Sequence, residues 1–308
     1  MKPKIYIDGS AGTTGLQIYE RLGKRADIEL LLIDDAKRKD TDERKRLINA
    51  ADIVFLCLPD AAAVEAVSLI ENDATRVIDA STAHRVNTAW DYGFPELSDA
   101  HRAAIAKSKR VANPGCHATG FISIVYPLVK LGLLAPDCAG LTCFSLTGYS
   151  GGGKAMIADY ETAKTPALET PGIYGVAQAH KHLAEMTAIP GLTRKPVFCP
   201  VVDDYYAGMA TTVMFPGAVL GGLKPEVLLS ALADWYHGSR FVSVDSELGG
   251  GTIYADYGVG TNNLRLTVSG DAEAKIVTAR FDNLGKGASG AAVQNMNIML
   301  GLSEDTSL

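Results

Sequence analysis

Ile5-Tyr6-Ile7 is a short apolar run that ends in the turn Gly9-Ser10-Ala11-Gly12-Thr13-Thr14-Gly15 and passes into residues 16–22, whose apolar side chains have helical spacing. A strand that turns tightly on glycines into a helix is the opening of a strand–helix–strand unit. The rhythm continues. Residues 29–33 and 53–58 are a second and third apolar run, residues 61–70 an alanine-rich helix, and Arg76-Val77-Ile78-Asp79 a fourth strand. Apolar runs alternating with helices predict an α/β domain, a parallel sheet with helices on both faces.

The glycine turn carries chemistry as well as shape. Its spacing is G-x-x-G-x-x-G, not the commoner G-x-G-x-x-G. Small residues let the backbone approach a pyrophosphate, whose charge then sits at a helix N-terminus. Residues 9–15 are therefore candidates for binding a dinucleotide; the competing reading is a tight turn with no ligand. The second strand ends at Asp34-Asp35, followed by Ala36-Lys37-Arg38-Lys39. An acid there suits the free ribose hydroxyl of NAD, whereas a basic cluster just beyond suits the 2′-phosphate of NADP. We favour NADP(H), with Arg38 and Lys39 as its candidates, against a merely solvated charged loop.

The pattern changes near residue 115. Asn113-Pro114-Gly115 is a turn and residues 116–130 read as a long apolar helix. Strand-like segments follow at 141–144, 196–198, 210–215, 241–244 and 263–269, suggesting a mixed or antiparallel second sheet. Residues 283–302 read as a glycine-interrupted helix. The expected organisation is a dinucleotide-binding domain over 1–115, completed by a C-terminal helix within 284–308, and a catalytic and dimerisation domain over 116–283.

Composition removes several classes. The 29 basic residues stand against 35 acidic ones, so no nucleic-acid partner is expected, because phosphates reward a basic face. The longest apolar stretch, near 121–129, is too short to span a bilayer and contains Pro127. The start of the chain runs straight into a strand pattern, so no signal peptide is expected. Five cysteines, an odd number without C-x-x-C spacing, suggest neither a disulfide framework nor a zinc site and fit a reduced cytoplasmic setting.

Asn113-Pro114-Gly115-Cys116-His117 places one of those cysteines where a turn becomes a helix. A thiol there sees the positive end of the helix dipole and unpaired backbone N–H groups, which favour the nucleophilic thiolate. The same N–H groups can hold an oxyanion. Cys57, Cys138, Cys143 and Cys199 lie in or beside apolar runs and read as structural. A nucleophile needs a proton partner, and His180-Lys181-His182 with Glu185 is the best candidate. Two histidines at i and i+2 of a helix face different ways, so one of them is expected to meet Cys116. His182 is preferred, because Glu185 at i+3 can orient its ring. His84, His101, His117 and His237 lack such neighbours.

Gly9–Gly15, Asp79-Ala80-Ser81-Thr82-Ala83-His84-Arg85, Tyr92-Gly93-Phe94-Pro95-Glu96-Leu97 and Asn113–Cys116 occur in that order. Gly148-Tyr149-Ser150-Gly151-Gly152-Gly153-Lys154, His180–His182 and Asp282-Asn283-Leu284-Gly285-Lys286-Gly287-Ala288-Ser289-Gly290 follow. This ordered set resembles the N-acetyl-gamma-glutamyl-phosphate reductase family in its shorter form. His-Ala-Thr after Cys116 and Ser-Thr-Ala-His-Arg at 81–85 depart from the longer form.

The resemblance implies a Rossmann-type domain plus an α+β catalytic domain of the glyceraldehyde-3-phosphate dehydrogenase-like type. It implies NADPH as reductant, an acyl phosphate as substrate, and a homodimer or homotetramer. It further implies Cys116 as nucleophile, forming a thioester, and His182 as acid/base, with His180 beside the substrate. Ser81 and Arg85 match substrate positions; Arg85 offers a two-pronged fork for a carboxylate or phosphate, its alternative being a surface salt bridge. Ser150, Gly151 and Lys154 are candidates for cradling the phosphate, their alternative being a flexible glycine loop. Asn283 and Gly287 are candidates for packing near the nicotinamide, the alternative being helix capping and close packing. The rival functions are an aspartate-semialdehyde dehydrogenase-like enzyme and a non-catalytic NADP-binding protein.

Overall fold

Successive residues of the first strand serve two different cores. In the computed structural model, which describes residues 2–247 and 250–308, Ile5 and Ile7 enter one apolar cluster and Tyr6 the other. The same alternation separates Ile53 and Phe55 from Val54 and Leu56. This is the period-two geometry of a strand buried on both faces. It explains why these segments read as continuous apolar runs.

The chain divides into two compact units, Met1–Pro114 with Ala288–Leu308, and Gly115–Gly287. The first runs β1 (Lys4–Asp8), α1 (Thr13–Leu22), β2 (Glu29–Leu31), α2 (Thr41–Ala50), β3 (Ile53–Leu56), α3 (Asp60–Ser68), β4 (Arg76–Asp79), β5 (Asp91–Tyr92), α4 (Asp99–Lys107) and β6 (Arg110–Ala112). Its sheet has the order β2-β1-β3-β4-β6-β5, every pair parallel.

The second unit runs α5 (Cys116–Lys130), β7 (Thr142–Gly148), α6 (Gly153–Glu161), β8 (Gly172–Ile173), α7 (His182–Ala188), β9 (Val197–Asp203), β10 (Met209–Pro216), α8 (Pro225–Trp235), β11 (Val242–Glu247), β12 (Leu264–Gly270) and β13 (Ala274–Phe281). The sheet order is β11-β12-β13-β10-β7-β9-β8. Two pairs, β11·β12 and β7·β9, are parallel and the rest antiparallel, so the sheet is mixed. Strand β13 was absent from the sequence expectation. Its Lys275 occupies a buried position, where Nζ donates to the Ala272 carbonyl (2.7 Å) and the stem packs inside. A lysine at a core position hides the alternation.

Helix α5 is the apolar helix expected after Cys116, and it contains Pro127. Proline has no N–H to give the carbonyl four residues back. That carbonyl, of Ser123, instead accepts from the Tyr236 hydroxyl at 2.7 Å. Gly120 sets how closely α5 approaches the sheet, since a Cβ there would meet Thr211 Cβ at 2.5 Å. The last segment differs from the single helix expected over 283–302. Gly285–Ser289 forms a π-helical turn, and α9 (Gly290–Met299) follows it. Ala292, Val293 and Met296 of α9 join the core of the first unit with Ile5, Ile18 and Phe55.

Candidate active site

The glycine turn of the first unit is compressed beyond what side chains allow. Gly9 has φ +88°, and a Cβ on it would sit 2.3 Å from the Cys57 carbonyl oxygen. A Cβ on Gly15 would sit 2.3 Å from the Gly9 oxygen, to which Gly12 N also donates. Helix α1 has no side-chain cap at Gly12, so its first N–H groups are offered to a ligand. Thr13 Oγ1 is buried with no hydrogen-bond partner.

Beside the turn lies a cavity of ≈ 280 Å³, lined by Ser10, Ala11, Tyr19, Ile33, Asp35 and Arg38 among others. A pocket of mixed polar and apolar lining next to an uncapped helix start fits the adenosine and pyrophosphate of a dinucleotide. Arg38 is held at the cavity by Asp35, donating to its carbonyl at 3.2 Å. Lys39 is exposed. Asp34 caps the short turn by accepting from Ala36 N at 2.8 Å. Thr14 lies in the first turn of α1.

Ser81 and Arg85 are buried in the same unit. Arg85 Nε donates to the Asn113 carbonyl and Nη2 to the Ala80 carbonyl, both at 3.0 Å. Ser81 Oγ donates to Asp79 Oδ2 at 2.7 Å. The same carboxylate oxygen meets His84 Nδ1 at 2.6 Å, and the His84 ring stacks on Trp90 at 4.0 Å between centroids. The sequence offered no neighbour for His84; burial of Asp79 supplied one.

Cys116 is the first residue of α5, after Gly115 in extended conformation with no side-chain cap. The Gly115 carbonyl accepts from Thr119 N at 2.8 Å, and Gly115 N donates to Glu185 Oε2 at 3.2 Å. Glu185 thus ties α7 to the turn that presents the thiol. Burial, aided by Asp79 and Asp8, pushes the Cys57 thiol up, and burial with Cys199 does so for Cys143. Both stay protonated and inert.

His182 begins α7, whereas His180 lies just before it. Only one of the two is helical, so they do not face opposite ways as expected. His180 Nδ1 accepts from His182 N at 3.2 Å, and the two rings lie 4.7 Å apart between centroids. Both approach His117, each 5.7 Å from its ring centroid. The approach of this segment is fixed by Gln178, whose φ of 53° is unusual for a non-glycine. Its side-chain amide bridges the backbone of Phe198, donating to O at 2.7 Å and accepting from N at 2.9 Å.

His117 and Gln178 were missed from sequence. The one available signal was a lone histidine on the buried face of an otherwise apolar helix. His117 Nδ1 meets Ser145 Oγ at 2.7 Å and Nε2 meets the Tyr174 hydroxyl at 2.5 Å. Burial, and then His180, lower its titration to about 3, so its ring is neutral.

The segment 282–287 joins the remaining candidates. Asn283 is buried; its Nδ2 donates to Ser150 Oγ (2.9 Å) and its Oδ1 accepts from Gly208 N (2.8 Å). At the other end, a Cβ on Gly287 would meet Cys116 Cβ at 2.9 Å. Ser150, in the turn Tyr149–Gly152, and the sulfur-bearing residue are therefore brought to two ends of one segment. Gly151 and Lys154 are exposed, and Lys154 is the second residue of α6, which has no side-chain cap.

Comparison with known proteins places these features. Residues 10–107 match the model described as semialdehyde dehydrogenase, NAD binding domain, and residues 116–283 that described as semialdehyde dehydrogenase, dimerisation domain. Aspartate semialdehyde dehydrogenase II from Vibrio cholerae superposes with a TM-score of 0.71 at 15% identity, over 98% of this chain and 99% of that one. The Francisella tularensis aspartate semialdehyde dehydrogenase gives 0.72 at 14%, over 97% and 100%. Fold and site define the semialdehyde dehydrogenase class of dinucleotide-dependent oxidoreductases.

Within it, N-acetyl-gamma-glutamyl-phosphate reductase 2 of Nostoc sp. is 47% identical over 100% of this chain and 99% of that protein. The reductase of Chelativorans sp. is 49% identical over 97% and 99%. The chain belongs to the N-acetyl-gamma-glutamyl-phosphate reductase family. Among the described residues no helix is long and apolar enough to cross a membrane, and no cluster of three or more His, Cys, Asp or Glu is set to hold a metal.

Proposed function

We propose that this chain reduces N-acetyl-L-glutamyl 5-phosphate to N-acetyl-L-glutamate 5-semialdehyde and phosphate in arginine biosynthesis, through a thioester on Cys116. The observation that carries the reading is the first residue of α5, a cysteine at an uncapped helix start in the unit that also holds the His117–His180–His182 cluster.

The Cys116 thiolate attacks the acyl carbon; a C–S bond forms, the C–O bond to phosphate breaks, and phosphate leaves with its electron pair. Backbone N–H groups at the start of α5 stabilise the oxyanion on the way. The dinucleotide, NADPH, contributes a hydride at the thioester carbon when bound. His182 handles the proton of the resulting thiohemiacetal oxygen, so that the C–S bond breaks, the aldehyde leaves and sulfur returns as thiolate.

Residues 9–15 cradle the pyrophosphate and Arg38, with Lys39 beyond it, favours the 2′-phosphate. Ser150, Gly151 and Lys154 serve the substrate's anionic groups, with Ser81, Arg85 and His180 assigned to the substrate by the family pattern. Asn283 and Gly287 are assigned to the nicotinamide side of the cofactor, a part supported by the approach of Gly287 to Cys116 and by the anchoring of Asn283 to Ser150. The chain works as a homodimer or homotetramer in the cytoplasm, where its free cysteines stay reduced. Phosphate-dependent reduction of NADP by N-acetylglutamate semialdehyde tests the assignment. Turnover of aspartate semialdehyde in its place would overturn it.

A further inference from the structure

Strand β8 ends where its partner has no hydrogen to return. Its register on β9 sets Gly172 against Val202 and Ile173 against Val201. Tyr174 N still donates to the Pro200 carbonyl at 3.1 Å, but Pro200 has no N–H for the Tyr174 carbonyl, so the pairing stops. The next hydrogen-bonding place on that edge of β9 belongs to Phe198, two residues back. The Gln178 side chain fills it: Nε2 donates to the Phe198 carbonyl at 2.7 Å, and Oε1 accepts from Phe198 N at 2.9 Å. A primary amide carries a donor and an acceptor side by side, so Gln178 stands in for the strand that turned away. The intervening chain turns at Gly175, with φ +61°, and again at Gln178, with φ 53°. Gln178 N donates to the Gly175 carbonyl at 3.0 Å, and Lys195 Nζ donates to the Gln178 carbonyl at 2.9 Å.

The detour encloses the His180 ring. Its centroid lies 4.7 Å from that of His182, 5.3 Å from Phe198, 5.7 Å from His117 and 5.8 Å from Tyr174. Phe198 therefore anchors the segment through its backbone and packs on the imidazole through its ring. Because His182 N donates to His180 Nδ1, a shift of Gln178 carries both histidines. From this we propose that Gln178 is a positioning residue, whose side-chain amide sets where His180 and His182 stand for the reaction. Its kinetic consequence rests on the parts given above to those two histidines. A left-handed backbone at a non-glycine residue persists where its surroundings over-determine it. The bonds through the Gln178 main chain and side chain do so.

Two substitutions of similar length test this. Gln178→Glu, ionised, has no donor for the Phe198 carbonyl and sets a charge against it; protonated, the carboxyl again has one donor and one acceptor and restores both bonds. Gln178→Met removes both at every pH. The titratable groups about the clip are Lys195 and His180, with His117 and Tyr174 around the latter. Wild type and variants share them, so each variant is read as a ratio to wild type at the same pH. The measurements, from neutral to mildly acidic pH, are kcat and the rate at which diethyl pyrocarbonate labels His180, read by mass spectrometry of its peptide. A thermal melt accompanies them. A misplacement of one ångström can cost about a hundredfold, so a smaller shift should lower kcat roughly tenfold in both variants at neutral pH. His180, freed from its ring of aromatics, should label several-fold faster. On acidification Gln178→Glu should climb back toward wild type in both readouts, while Gln178→Met stays flat. Wild-type kcat and labelling in Gln178→Met, or a Gln178→Glu ratio that does not rise in acid, overturns the proposal. Labelling that recovers with acid while kcat stays at the wild-type value throughout upholds the clip and overturns the histidine roles instead.

Discussion

Gly287→Ala inserts one methyl group directly behind the nucleophile. The added carbon would lie 2.9 Å from Cys116 Cβ, against 3.4–4 Å for ordinary contact. Cys116 must then move by about half an ångström, because the methyl has no other way to turn. Asp282 O stands 3.2 Å away and the buried Phe281 Cε2 3.3 Å away. The backbone itself accepts alanine, since Gly287 is not among the glycines with positive φ. A displacement of one ångström at a reacting group can cost about a hundredfold in rate, so half of that predicts roughly a tenfold loss of kcat. Overpacking adds a stability cost of about 1–3 kcal/mol. Steady-state oxidation of NADPH, Cys116 alkylation and a thermal melt on the same preparation separate the two effects. A variant with wild-type kcat and wild-type alkylation would refute the placement of Gly287 against Cys116.

Three further outcomes follow from single contacts. The buried His117 titrates at about 3 in the folded chain, below its ordinary value of about 6.5. The unfolded chain therefore binds the extra proton between those values, and stability falls as pH drops through that window by up to about 1.4 kcal/mol per pH unit. Urea melts at neutral and mildly acidic pH should show this loss shrinking in His117→Gln; parallel losses would contradict it. Gly120→Ala forces a methyl into Thr211 and should cost about 1–3 kcal/mol, read as a lower Tm. Arg38→Ala should raise KM for NADPH about tenfold while sparing NADH, since a charge-assisted contact to the 2′-phosphate is lost. Equal effects on both cofactors would remove Arg38 from that part.

The glycine turn and the start of α5 were legible because local physics dictates them. Gly9 and Gly15 have no room for a side chain, and Gly115-Cys116 is a turn feeding an apolar helix. What the sequence hid are contacts made by tertiary packing. His117 looked isolated because Ser145 and Tyr174 are 28 and 57 residues away. His180 and His182 were expected on opposite faces of a helix that in fact starts only at His182. Strand β13 was obscured by the buried Lys275, and the closing helix by its π-helical turn at Gly285–Ser289. Arg85 gave no sign that the backbone carbonyls of Asn113 and Ala80 would accept from its guanidinium.

Covalent catalysis at Cys116 is tested most directly by mixing the enzyme with N-acetylglutamyl phosphate without NADPH, quenching in acid, and mapping the peptides by mass spectrometry. One N-acetylglutamyl group should appear on the Cys116 peptide, released as semialdehyde when NADPH is added before the quench, and it should be absent in Cys116→Ala. An adduct on another residue, or a Cys116→Ala enzyme that still reduces the acyl phosphate, would contradict the account.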